Sequence, residues 1–275
     1  MKYNRNIKRH KSTATGGESN VGRYDGILLC SDFDSTLAFN GNVSEENAKA
    51  IRYFQENGGM FTLISGRPPV HFKNFEELFK PNTYICGYNG AIISDIDEQE
   101  IVYQNFIRES LKEKHVRICR KISDINYFCL FYQGGIEYVP MDDVDYDRLW
   151  KTMDKDIYKI VYGVPTDISN EIKARIEEII DDPSYVITRS SLRSIEVQNV
   201  EACKGQAAAR LARIVGAKKL VCVGDFENDI TMVESADVGY AVSNACESLK
   251  AVADKVTVDV KQHALAAIIE EIDAV

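Results

Sequence analysis

The chain has 275 residues, 45% of them hydrophobic and 27% charged, with a formal net charge of -9. That balance describes a globular protein of one large or two modest domains, and the acidic excess leaves no surplus of Lys and Arg to displace counterions, so nucleic acid is excluded as an expected partner. No stretch approaches the roughly 18 uncharged apolar residues of a membrane span, and the N-terminus lacks the apolar core of a secretion signal, so no membrane partner and a cytoplasmic location are expected.

Residues 1–24 are polar, with a basic start at Lys2, Arg5, Lys8, Arg9 and Lys11 and no apolar periodicity, and read as a disordered tail. Residues 27–31 follow as an apolar run, the signature of a buried strand in a parallel sheet. It ends in Asp32-Phe33-Asp34-Ser35-Thr36, which places two carboxylates where open α/β sheets bind their ligands. Acids so close together repel and raise each other's pKa, a cost that a bound cation or a reaction would explain and an Asp-rich turn would not.

Ser44 with Glu45 and Glu46 reads as a helix N-cap and acidic first turn, and Ala48, Ile51 and Phe54 recur at helical spacing until Gly58-Gly59. A second apolar strand, 60–64, ends in Ser65-Gly66-Arg67-Pro68 and completes a βαβ unit. A helix over 69–79 and a strand at 84–86 lead to Gly87-Tyr88-Asn89-Gly90.

Between residues 91 and 191 the rhythm changes to strand-rich segments at 101–106, 127–133, 136–139, 157–164 and 184–188. Gly134-Gly135 forms a hairpin turn, and two amphipathic stripes lie on Leu111–Ile122 and Ile172–Ile180. This is an inserted α+β module with its own core, in which His115 is a packed helix residue. After a strand at 192–198, alternation returns: a helix from Lys204 to Val215, the strand 220–223, then Gly224-Asp225-Phe226-Glu227-Asn228-Asp229, and further βα units to the C-terminus. The fold class is α/β: a doubly wound parallel-sheet core from residues 25–90 and 192–275, interrupted by a cap over 91–191. The seven cysteines are scattered and odd in number, without CxxC pairs, and read as reduced, packed thiols.

Strand ends thus supply Asp32 and Asp34, Ser65 and Arg67, and Asp225, Asn228 and Asp229, with Lys204 opening a helix. Carboxylates with too few cations suit a hard divalent metal, and Mg2+ is the implied ion, since it takes one or two carboxylates, water and substrate phosphate. Ser65, Lys204 and helix N-termini suit phosphate oxygens. One carboxylate can attack phosphorus while a second moves the proton. Arg67 has two readings, ion pair or substrate contact, and is left out of the catalytic set; Tyr88 and Phe226 are read as packing.

These motifs resemble those of the haloacid dehalogenase-like (HAD) phosphohydrolases, in particular the Cof-type subfamily with its large inserted cap. Asp32-Phe33-Asp34-Ser35-Thr36 resembles the first motif, Ser65 the second, Lys204 the third and Gly224–Asp229 the fourth; Asn89-Gly90-Ala91 and Ala241–Ala245 follow the subfamily's habits, and Ser35 stands where Gly is common. The resemblance implies Asp32 as nucleophile, Asp34 as general acid/base, and Ser65 and Lys204 as phosphate anchors. It implies Mg2+ held by Asp32, the backbone carbonyl of Asp34, and Asp225, with Asp229 and Asn228 in support and Asn89 and Gly90 meeting the substrate. The activity implied is hydrolysis of a small phosphorylated metabolite, a sugar phosphate first and a phosphorylated cofactor such as flavin mononucleotide or pyridoxal phosphate second. A phosphomutase or phosphotransferase, which would move phosphate to another hydroxyl, and a phosphorylation-controlled receiver or binding module are the alternatives. The oligomeric state is not encoded in any of these patterns.

Overall fold

The structure is a computed structural model and describes residues 22–142 and 144–273. Five strands form a parallel sheet in the order Lys255–Val256, Val238–Ala241, Lys219–Gly224, Ile27–Ser31, Met60–Leu63. Their side chains are apolar on both faces because helices cover both: Leu29, Phe61, Val221 and Val223 pack on one side with the helices Glu45–Glu56 and Ala264–Asp273, and Leu28, Cys30 and Cys222 on the other with Lys204–Val215. Each such large side chain removed from water contributes about 1.5–3 kcal/mol.

The first helix forms as its sequence dictates. The Ser44 hydroxyl accepts the Asn47 amide at 3.2 Å, Glu45 and Glu46 face the positive end of the helix dipole, and Ala48, Ile51 and Phe54 turn inward. Gly58 ends it in the left-handed region, φ +91°. Residues 1–21, most of the expected tail, lie outside the described residues. Its last residue departs from that expectation: Tyr24 is buried, with its ring 4.7 Å from that of Phe54.

A second sheet is antiparallel, in the order Tyr185–Ser191, Ser194–Asn199, Ile157–Gly163, Tyr127–Tyr132, Gly135–Pro140. The helices Leu111–Lys121 and Ser169–Ile180 cover one face and bury Phe128, Leu130, Ile160, Ile195 and Val197. This is the cap, and it is set differently in the chain from the expected 91–191. Ile92–Ser94 pairs with Ile85–Gly87 on one side and Ile101–Gln104 on the other, and Ile93 packs into the core cluster with Cys86. Ser194–Asn199, assigned to the core from sequence, is instead a central strand of the cap sheet. The chain passes between the two bodies near residues 105–107 and 199–203, where the Ile107 amide donates to the Ile157 carbonyl and the Val200 amide to that of Ser184.

Candidate active site

Parallel pairing sets the site. Ile27–Ser31 and Lys219–Gly224 run side by side in register, Ser31 opposite Val223, so the residues that follow them leave the sheet together. The Asp32 amide still donates to the Val223 carbonyl at 3.0 Å, which fixes Asp32 beside the 225–229 turn. Asp32, Asp225 and Asp229 each bring a carboxylate oxygen to within 4.8 Å of the others. Lys204, the first residue of its helix and 1% exposed, reaches across to both ends of this group: its Nζ donates to Asp32 Oδ1 at 2.7 Å and to Asp229 Oδ1 at 2.5 Å.

Three carboxylates around one ammonium are short of positive charge. Burial pushes the Asp32 carboxyl up to about 7, against the pull of Lys204. Burial likewise lifts Asp225 to about 9, helped by the charges of Asp32 and Asp229. Burial disfavours the Lys204 ammonium, but Asp229 and Asp32 outweigh it and hold the group above its ordinary value. The oxygen-only donor set, the charge deficit and the buried, half-assembled cage fit a hard divalent cation. Asp229 is committed elsewhere: its Oδ2 accepts the amides of Asp225 at 2.9 Å and Phe226 at 3.2 Å while its Oδ1 takes Lys204. It shapes the loop that presents Asp225. Gly224 is required there, because a Cβ would sit 2.4 Å from that of Asp229.

Asp34 lies apart from this buried group. Its side chain is 50% exposed and is gripped by Arg67, which donates through Nε to Oδ2 at 2.7 Å and through Nη2 to Oδ1 at 2.6 Å; the His71 ring lies 3.1 Å from Arg67 Nη1. The sequence left Arg67 between two readings; the structure brings it onto the acid two residues after Asp32. Ser65 lies two residues beyond the strand Met60–Leu63, which pairs with the one before Asp32; it is 1% exposed, with its hydroxyl accepting the Arg67 amide at 3.3 Å. Thr36, which the sequence did not single out, donates to Asp225 Oδ1 at 3.2 Å.

The 88–90 turn lies at the seam between core and cap. Gly90, at φ +102°, lies against the helix that carries Lys204, and a Cβ would meet that of Ala207 at 2.4 Å. It is a close-packing glycine. Asn89 is fully buried and spans the seam between core and cap: it donates to Glu196 Oε2 and, at 3.0 Å, to Gln198 Oε1, and its own oxygen lies 3.4 Å from Asn228 Nδ2. Glu196 pairs with Lys159 at 3.0 Å, both almost wholly buried. Burial disfavours the Glu196 carboxylate, yet Lys159 and hydrogen bonds hold it below its usual range. Lys159 and Glu196 escaped the sequence reading, although a charge inside Ile157-Tyr158-Lys159-Ile160-Val161 and another inside Ser194-Ile195-Glu196-Val197 were visible signals. A second bridge crosses the seam where Arg189 of the cap donates through Nε to Glu227 Oε1 at 3.0 Å.

Comparison with known proteins agrees with this architecture. A family model described as haloacid dehalogenase-like hydrolase matches residues 29–269. The putative phosphatase YxeH of Bacillus subtilis is 26% identical over 89% of this chain and 97% of its own length, and the phosphatase YwpJ of the same organism is 26% identical over 87% and 97%. Among solved structures, the HAD subclass IIB sugar phosphatase BT4131 superposes with a TM-score of 0.76 at 19% identity, covering 90% of this chain and 99% of its own. Among the described residues, no helix is long and apolar enough to cross a membrane.

Proposed function

We propose that this chain, which belongs to the haloacid dehalogenase-like hydrolase family and is a phosphatase, uses Mg2+ to hydrolyse small phosphomonoesters, sugar phosphates first, through a phosphoryl group carried on Asp32. The observation that carries this reading is the asymmetry of the Asp32 carboxylate. Lys204 holds Oδ1, while among the described residues Oδ2 accepts no hydrogen bond and is available to attack phosphorus. Neutral surroundings would leave such a carboxylate protonated, whereas the ammonium beside it favours the charged, nucleophilic form.

Asp32, the Asp34 carbonyl and Asp225 would hold the metal, with Asp229 and Asn228 supporting them from behind. Bound there, Mg2+ would supply positive charge against the phosphate oxygens and the surrounding carboxylates. The chain's own residues do the rest. The Ser65 hydroxyl and Lys204 ammonium anchor phosphate oxygens as Asp32 Oδ2 forms a bond to phosphorus and the bond from phosphorus to the leaving oxygen breaks. Asp34 gives its proton to that oxygen, then takes one from a water that attacks the acyl phosphate, and inorganic phosphate leaves with Asp32 restored. The half-exposed position of Asp34 suits a group that must meet both leaving group and water. The sheet over the site acts as the cap that limits access, and a cytoplasmic setting matches the seven unpaired cysteines.

A phosphate-release screen over sugar phosphates and phosphorylated cofactors, with Mg2+ and with chelator, tests this proposal. Metal-dependent release of inorganic phosphate is expected. Quantitative migration of phosphate to another hydroxyl would replace hydrolysis by phosphoryl transfer.

A further inference from the structure

The loop over residues 225–229 is fastened from two sides. Its ends belong to the core: Asp229 Oδ2 accepts the amides of Asp225 and Phe226, and the Asp225 carbonyl accepts the Cys246 amide at 2.9 Å. Its middle is tied to the cap. Glu227 Oε1 accepts two N–H groups of Arg189, Nε at 3.0 Å and Nη2 beside it, while Asn228 donates to Asn89, which itself donates to Glu196 and Gln198 of the cap sheet.

The cap aims Arg189 at this loop. The residue lies near the end of Tyr185–Ser191, the edge strand of the cap sheet, and its pairing with Ser194–Asn199 slips in register between Arg189 and Ser191. Such an irregularity bends an edge strand and re-aims its side chains. Ser169, buried at the start of Ser169–Ile180, accepts from Arg189 Nη1 at 3.2 Å and fixes the far side of the guanidinium, whose carbon stands 5.9 Å from the centre of the Phe226 ring. The Arg189 and Glu227 side chains are only 14% and 20% exposed, so removing one strands the other away from full hydration.

This grip bears on Asp225. The strand Lys219–Gly224 ends one residue before it, and its carboxylate stays within reach of those of Asp32 and Asp229 only while the turn that follows keeps its shape. Holding Glu227, two residues on, takes away the turn's freedom to carry Asp225 outward.

We propose that Arg189 is a positioning residue for the metal-holding carboxylates: from the cap it fixes Glu227 and so keeps Asp225 in place for a divalent cation. This rests on the metal site of the phosphatase reading above and makes that site depend on the cap. Linkage makes the effect reciprocal: whatever factor the docked cap adds to metal affinity, the metal adds to docking.

The test is Mg2+ binding to the full chain without substrate, by titration calorimetry. Arg189→Met is expected to raise the Mg2+ Kd about tenfold, the scale on which residues supporting a metal site act. Removing a nearby cation would by charge alone tighten Mg2+ binding, so a weakened affinity reports position. The double variant Arg189→Met/Glu227→Leu leaves neither partner stranded and should show the same loss at unchanged net charge. Arg175→Met removes a cap arginine whose partners, Asp124 and the Lys121 carbonyl, also lie in the cap, and should leave the Kd as it is. Hydrogen exchange reads the reciprocal effect: Mg2+ should slow exchange of the amides over residues 185–191 in the unsubstituted chain and lose that effect in Arg189→Met. An unchanged or lowered Kd in both Arg189 variants overturns the inference, as does an equal loss in Arg175→Met. No Mg2+ binding by the unsubstituted chain would instead overturn the metal site on which it rests.

Discussion

Arg67 holds Asp34 through two parallel hydrogen bonds, 2.7 and 2.6 Å, so the carboxylate proposed to move the proton is fixed in direction by the loop after the neighbouring strand. The pair is exposed on both sides, 38% and 50%, and pairs of that kind are worth about 1 kcal/mol or less. The grip is firm enough to orient Asp34 and weak enough to release it in each turnover.

Arg67→Ala is therefore expected to lower kcat by about tenfold to a hundredfold, the range seen when a reacting group loses its alignment, with little change in unfolding free energy. Arg67→Lys should recover only a small part, since an ammonium cannot reproduce the two-pronged contact. Steady-state kinetics with urea unfolding of the same variants checks both statements; full activity in Arg67→Ala would show that Asp34 needs no partner.

Lys204 is the only cation bonded to the buried Asp32 and Asp229 among the described residues. Lys204→Met should abolish phosphate release and also destabilise the fold by about 3–5 kcal/mol, the cost of leaving buried carboxylates without their partner. Urea denaturation with and without Mg2+ would read it, and part of the loss is expected to return with the metal.

Divalent metal should stabilise the folded chain because it relieves the crowding of Asp32, Asp225 and Asp229. At a hundredfold excess over its Kd, a folded-state ligand adds about 2.7 kcal/mol. Thermal unfolding should shift upward with Mg2+ and return with chelator. Asp225→Asn should blunt the shift; an undiminished response there would move the metal elsewhere.

His115 gives the cap a pH dependence. It is fully buried, edge-on to Phe128 and 2.6 Å from the Tyr162 hydroxyl, and burial pushes its pKa down to about 3. The unfolded chain takes up a proton near the ordinary value of about 6.5 while the folded chain does not, so stability falls as the pH drops below that value. The loss is about 1.4 kcal/mol per pH unit until the folded group titrates, or about 2 kcal/mol at pH 5. Denaturation midpoints between pH 7 and 4.5 should show this slope, and His115→Gln should flatten it.

Much of this was legible in the sequence because its signals are local. The Ser44 cap, the Lys204–Val215 helix and the polar turns at 32–36, 65–68 and 224–229 each carry their own punctuation. What was not legible was partnership. Ser194–Asn199 alternates as any strand does, and nothing in it says that its neighbours are Ile157–Gly163 and Tyr185–Ser191 and not the parallel sheet. Gly90 stood beside a motif, but its reason is the approach of Ala207, more than a hundred residues away. Arg67, Lys159 and Glu196 acquire their meaning only from partners distant in sequence. Long-range pairing of charges leaves no trace in spacing.

Asp32 is the residue proposed to carry the phosphoryl group. The most direct measurement is a mass-spectrometric search of the Asp34→Asn variant, acid-quenched after brief exposure to a hydrolysable monoester and Mg2+. Loss of the proton-moving group should slow breakdown of the acyl phosphate, so the peptide over residues 27–37 is expected to gain the mass of one phosphoryl group at Asp32, and Asp32→Asn should gain none. Steady phosphate release by the unsubstituted chain, with no modified Asp32 at any quench time in either protein, would rule out Asp32 as the phosphoryl carrier.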